Sequence, residues 1–377
     1  MFQFDDIRPY NDEEVRPTID RLLQDREFIH AVACLKFPRL GRLLPWLMQP
    51  LVKNFLAKQL DGVMSVEDLQ LKVKAYMDQM MSRTMTAFSV SGLKELAEDK
   101  AYLFISNHRD IAMDPAFVNW SLYTEERKTV RIAIGDNLLS KPYVSDLMRL
   151  NKSFIVKRNL KGAREKLKAA KELSGYIGHS LLSDNENIWI AQREGRAKDG
   201  IDSTQAAVLK MISLSKPKTQ SFGEYMASLN IVPVAISYEW DPCDNAKGQE
   251  LYMKAEEGGY EKDEHEDVAS IAAGITGNKG RVHVSFGEPI TQVFEEAEDL
   301  AAEIDRQVLS SYRLQPSSLC AYRMLEGKLP EGADEASVNT IEPAFKGRIE
   351  SIDSRWQNIV IKGYANAVYS QLGVDKP

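Results

Sequence analysis

Residues 106–115 read SNHRDIAMDP and place His108, Asp110 and Asp114 within ten residues. An imidazole, with an ordinary pKa of about 6.5, can take a proton from an attacking group near neutral pH. A carboxylate on its other ring nitrogen fixes the tautomer and stabilises the cation that forms. His108 with one of the two aspartates is therefore a candidate general base that activates a hydroxyl. Two other uses of the same residues compete with this one. His-Arg-Asp can open a phosphoryl-transfer loop, but such a loop needs an asparagine five residues beyond the aspartate, where Pro115 stands. A glycine-rich phosphate loop and an Asp-Phe-Gly are missing as well. Asp114 followed by Pro115 also fits the N-cap and first turn of a helix, the aspartate accepting amide hydrogens and the proline needing no partner for a donor it lacks.

The elements around the stretch suit a ligand site. Short apolar runs at 101–106, 129–134, 153–157, 187–191, 231–238 and 281–286 alternate with longer amphipathic stretches such as GAREKLKAAKELSGYIGHSLL and STQAAVLKMISL. Near-continuous apolar strands separated by helices predict an α/β fold, a mainly parallel sheet flanked by helices. The first hundred residues read as helical, one helix running from Ser65 through Phe88, and helices return after residue 290. The expected organisation is a helical N-terminal region over 1–85, an α/β domain over 86–315 and a helical C-terminal extension over 316–377. SNHRDIAMDP then lies between a strand end and a helix, where open α/β sheets hold their ligands.

Composition narrows the partners. The net charge is −7, yet residues 28–60 carry five bases (Lys36, Arg39, Arg42, Lys53, Lys58) and no acid. Residues 149–171 hold nine Lys/Arg against one Glu, and 239–267 hold eleven acids against three lysines. An acidic chain with two local basic stretches predicts anion binding and not a nucleic-acid footprint. The three cysteines follow no metal-ligand spacing, and His179, His265 and His283 have no ligand partners near them in sequence, so no metal is expected. No apolar run is long enough to span a bilayer.

Five short motifs, in order, cover roughly residues 85–292. SNHRDIAMDPAF resembles the first motif of the glycerolipid acyltransferases, and SFIVKRN (153–159) their second, a strand ending in arginine. IWIAQREGRAKDG (188–200) is similar to the third, IVPVAISYE (231–239) to the fourth and VHVSFGEPI to the closing strand. The family separates its histidine and aspartate by four residues. Here five intervene, and the Asp-Pro context aligns Asp114 with the family's aspartate, with Asp110 as the alternative. Arg196 follows Gly195 directly, as in the soluble plant-type glycerol-3-phosphate acyltransferases.

The resemblance implies transfer of a fatty acyl group from acyl-CoA or acyl carrier protein to a hydroxyl of glycerol-3-phosphate or 1-acylglycerol-3-phosphate. His108 would be the base and Asp114 its partner. The resemblance assigns Arg158 and Arg196 to the acceptor phosphate, which a guanidinium can grip with two parallel hydrogen bonds. Glu194 would orient Arg196 or close the site, and Gly195 would let the backbone approach the ligand. With no Gly-x-Ser-x-Gly, and with Ser106 placed inside a strand end, direct attack is expected over an acyl-enzyme. No cofactor is expected beyond the acyl donor. The expected location is the cytoplasm, at the inner face of a membrane, because 28–60 mixes its bases with Phe37, Leu40, Leu43, Leu44, Trp46, Leu47 and Met48. A helical core with a basic rim accounts equally for that stretch. The other functional class is a membrane-surface lipid-binding protein on the same scaffold, its catalysis lost with the longer turn.

Overall fold

A computed structural model describes residues 4–139, 141–256, 258–263 and 266–373. Seven strands occur among these residues: β1 (Met85–Ser91), β2 (Leu103–Ser106), β3 (Arg131–Gly135), β4 (Ser153–Val156), β5 (Ile188–Ala191), β6 (Ile231–Tyr238) and β7 (Gly280–Phe286). The fold is α/β with mainly parallel strand pairing and helical extensions at both ends. Two compact units divide the chain, a smaller one from Met1–Asp78 with Arg131–Tyr176 and a larger one from Gln79–Val130 with Ile177–Pro377.

In the smaller unit β3 and β4 run parallel, with Ile132 opposite Ser153 and Gly135 opposite Val156. Helices Asp12–Gln24, Arg26–Lys36 and Pro45–Gln59 bury Val15, Ile19, Leu22, Phe28, Ala33, Met48 and Val52 in a core with Leu150. Asp146 fastens the first helix, accepting from Tyr10 Oη at 2.7 Å and from Arg21 Nε at 2.8 Å. A second apolar set, on these helices and on the short helix Pro38–Leu43, points outward. Leu35, Leu43, Trp46 and Leu51 are 56–75% exposed.

In the larger unit the strand order is β1-β7-β6-β2-β5. β2 lies parallel to both β5 and β6, β1 parallel to β7, and β7 antiparallel to β6. β2 and β6 are buried along their whole length, as strands covered on both faces must be. The parallel pairing brings the carboxyl ends of β2, β5 and β6 to one end of the sheet. The C-terminal helices Pro316–Glu326, Glu335–Glu350 and Gln357–Leu372 form their own core around Phe345, Ala365, Val368 and Trp240.

One element departs from the sequence expectation. The helix from Val66 ends at Thr84, and Met85–Ser91 pairs with β7 as a strand. Phe88 packs on Phe117 and Trp120 of the helix Met113–Thr124, at ring separations of 5.4 and 5.1 Å, so tertiary pairing overrides the helical periodicity. The helical C-terminal extension includes Glu335–Glu350 and Gln357–Leu372, as separate helices. Helices Asp244–Glu256 and Glu266–Thr276 stand between β6 and β7. Just before β7, Lys279 is fully buried and, among the described residues, has no carboxylate partner. Its ammonium donates to Gly277 O at 2.9 Å and Thr84 Oγ1 at 3.1 Å, and burial pushes the amine down to about 8.

Candidate active site

His108 leaves the carboxyl end of β2, and the turn that follows folds back on itself around one carboxylate. Asp114 Oδ2 meets His108 Nδ1 at 2.9 Å and accepts the backbone N–H of Arg109 at 2.7 Å and of Asp110 at 2.9 Å. Asp114 Oδ1 accepts Tyr238 Oη, from the end of β6, at 2.6 Å. Asp114 is fully buried, while the His108 side chain is 14% exposed. A carboxylate can only accept, so the imidazole proton sits on Nδ1 and the Nε2 lone pair is left free. Among the described residues Nε2 has no hydrogen-bond partner. The imidazole edge meets Trp189 of β5 at 5.8 Å.

Asp110 holds a different position. Its Oδ1 accepts the N–H groups of Ala112 at 3.0 Å and Met113 at 2.8 Å, the first amides of the helix Met113–Thr124. Capping thus falls to Asp110, and Asp114 lies inside the first turn and not at the N-cap. Burial, and next the charge of Asp114, push the Asp110 carboxyl above its ordinary range. Gly274 of the helix Glu266–Thr276 packs on this carboxyl.

The turn is clamped from several sides. Arg109 Nη2 donates to Asp202 Oδ2 at 2.6 Å and to Gly200 O at 3.1 Å. Burial works against its charge, but Asp202 outweighs that and holds the guanidinium protonated. Asn107 donates to Asp202 Oδ2 at 3.2 Å and exchanges two hydrogen bonds with the backbone of Ile236. Lys247 Nζ, buried and ion-paired with Asp241, donates to Arg109 O at 2.7 Å. Ala197 N donates to His108 O at 2.8 Å, which ties the loop after β5 to the histidine.

That loop carries Glu194, Gly195 and Arg196. Gly195 takes a left-handed φ of 74° and faces open space. Glu194 is exposed, its N–H donating to Gln205 Oε1 at 3.1 Å. Arg196 is half-buried and reaches Ser270 Oγ at 3.4 Å. Arg158 belongs to the smaller unit, beyond β4, where its N–H donates to Asp136 Oδ1 at 3.0 Å. Lys157 is engaged by Glu172 at 3.1 Å.

Other candidate nucleophiles are occupied or protonated. Ser106 is fully buried, donates to Asn107 O at 2.7 Å and accepts Trp189 Nε1 at 3.0 Å. Cys243 lies against Ser270 O, 3.6 Å away, and burial pushes its thiol up to about 11. His179 faces Asp184 at 3.3 Å, His283 is held between Ser89 and Ser91, and His265 lies outside the described residues. Among the described residues no three His, Cys, Asp or Glu side chains gather as a metal site would require.

A base of this form serves any chemistry that starts by deprotonating a hydroxyl, and a family-model match narrows the choice. The chain is similar to the crystal structure of the 1-acyl-sn-glycerophosphate (LPA) acyltransferase PlsC from Thermotoga maritima, at 14% identity and a TM-score of 0.38 over 75% of this chain and 95% of that one. No curated protein matches. The family model for Acyltransferase matches residues 87–237, a span that holds β2, the His108–Asp114 turn, the loop after β5 and almost all of β6. Over those residues the chain is similar to the acyltransferase family.

Proposed function

We propose that the protein moves a fatty acyl group from acyl-CoA or acyl carrier protein to a hydroxyl of glycerol-3-phosphate or 1-acylglycerol-3-phosphate. The observation that supports this most is the His108–Asp114 pair, which leaves Nε2 unoccupied and basic. Nε2 takes the acceptor's hydroxyl proton as its oxygen attacks the thioester carbon. The carbon–sulfur bond then breaks, and the thiolate leaves with the proton that the imidazolium returns. The buried Asp114 carboxylate stabilises that imidazolium in between. Arg196 binds the acceptor phosphate, with Glu194 and Gly195 shaping the loop that carries it.

The test is thiol release from acyl-CoA or acyl carrier protein, with and without each acceptor. Release that requires an acceptor is expected, and His108→Ala should lower it by about 10²-fold or more while the protein stays folded. Release without acceptor would mark a thioester hydrolase. No release with any pairing would mark a lipid-binding protein that no longer performs transfer.

We also place the protein at a membrane surface. No helix among the described residues is long and apolar enough to cross a bilayer. The outward Leu35, Leu43, Trp46 and Leu51 stand among Lys36, Arg39, Arg42 and Lys53 in an acid-free stretch, which suits anionic headgroups above an apolar boundary.

A further inference from the structure

We infer that Tyr238 is a positioning residue that sets the basicity of His108 through Asp114, an inference that rests on reading His108 as the base. The Asp114 carboxylate collects four donors: His108 Nδ1, two backbone amides and the Tyr238 hydroxyl. The three besides the imidazole are neutral. Each neutral hydrogen bond draws negative charge away from the imidazole, so fewer of them leave a carboxylate that holds an imidazolium more strongly. The two amides belong to the turn itself and only proline, which would break the turn, removes them. Tyr238 is the one donor of the three that a side-chain change can delete.

The phenol is built to stay a donor. Tyr238 is buried, and burial, reinforced by the Asp114 charge, holds its hydroxyl protonated well above the ordinary phenol range. Its ring packs on Phe117 at 5.9 Å, inside the helix that Asp110 caps, so phenylalanine would keep the packing and lose only the hydroxyl. Other ionisable groups face the cluster: Asp110 on the same turn, Asp241 beyond β6, the Arg109–Asp202 pair and Lys247 from the helix Asp244–Glu256. Tyr312, Cys243 and Lys279 complete the set. None of these takes its hydrogen bonds from Tyr238, so all keep their partners when its hydroxyl is altered.

Two variants of the full chain move the donor in opposite directions. Tyr238→Phe removes it, and difluorotyrosine at position 238, a more acidic phenol, strengthens it. The readout is the NMR titration of ¹³C-labelled histidine, with His108 picked out from five histidines by its loss in His108→Ala. The His108 midpoint should rise by about half a unit to one unit in Tyr238→Phe and fall in the fluorinated protein. The acid limb of acceptor-dependent thiol release should move the same way. Unmoved midpoints, or both variants shifting in one direction, would overturn the assignment, even if turnover fell. If the midpoints move as stated but the wild type transfers no acyl group, the proposed function fails and the coupling through Asp114 stands.

Discussion

Asp110 and Asp114 are both buried and four residues apart, yet their oxygens face different donors. Asp110 holds the first amides of a helix, and Asp114 holds the imidazole. Asp110→Ala should therefore lower stability by about 1 kcal/mol, as the loss of a cap does, and change turnover only a few-fold. Asp114→Asn should leave the unfolding midpoint closer to wild type and cut turnover by about 10²-fold or more. Denaturant unfolding alongside initial rates separates the two, and a larger loss of turnover from the Asp110 change would reverse the assignment. The sequence made His108 and the Asp-Pro context legible, because both partners lie in one short turn. It left the choice of aspartate open, since only the folded turn shows that the extra residue lets the Arg109 and Asp110 amides both converge on Asp114. Tyr238 was legible only as the end of an apolar strand. It meets Asp114 across 124 residues, and no local spacing encodes such a contact.

Between elements, the strand periodicity carried further than the helix periodicity. Six apolar runs read from the sequence correspond to β2 through β7 within two residues, because strands buried on both faces write themselves as short uninterrupted apolar segments. β1 follows a helix without a break, and its Met-Thr-Ala-Phe continues the helical spacing, so only its partner β7 decides its form. The residue that ends β1 shows how closely the two strands are tied. Gly92 has φ 75°, and a Cβ there would stand 1.8 Å from the carbonyl oxygen of Phe286. Gly92→Ala should destabilise the protein by about 2 kcal/mol or more, through the left-handed backbone and the displaced end of β7. Urea unfolding at equilibrium measures this, and a loss below about 0.5 kcal/mol would mean that the β1–β7 end yields without cost.

At the scale of the molecule, the two accounts of residues 28–60 turn out to describe different sides of the same helical stretch. Phe28, Ala33, Met48 and Val52 fill a core, while Leu43 and Trp46 remain more than two-thirds exposed. Periodicity could not separate them, because the stretch is apolar nearly all round. If the outer set meets lipid, vesicle co-sedimentation should require anionic lipid and weaken as salt screens charges beyond about 10 Å at 0.1 M. It should also fall when Arg39, Arg42 and Lys53 become Glu, and full binding by that folded variant would exclude the stretch as the contact. Lys279 has a consequence for the whole fold as well. Its amine is pushed down to about 8 from an ordinary 10.5, so between those values the unfolded chain carries a proton that the folded protein does not. Unfolding then takes up a proton, and stability rises with pH across that window. Below pH 8 both forms are protonated, and the folded state bears the full penalty of a buried cation. Relative to Lys279→Met, wild-type protein should gain thermal stability from pH 8 to pH 10, and parallel melting curves across that range would show that the amine exchanges no proton on unfolding. A protein whose net charge is acidic thus carries, just before β7, a buried lysine whose own contribution to stability grows as the solution turns alkaline.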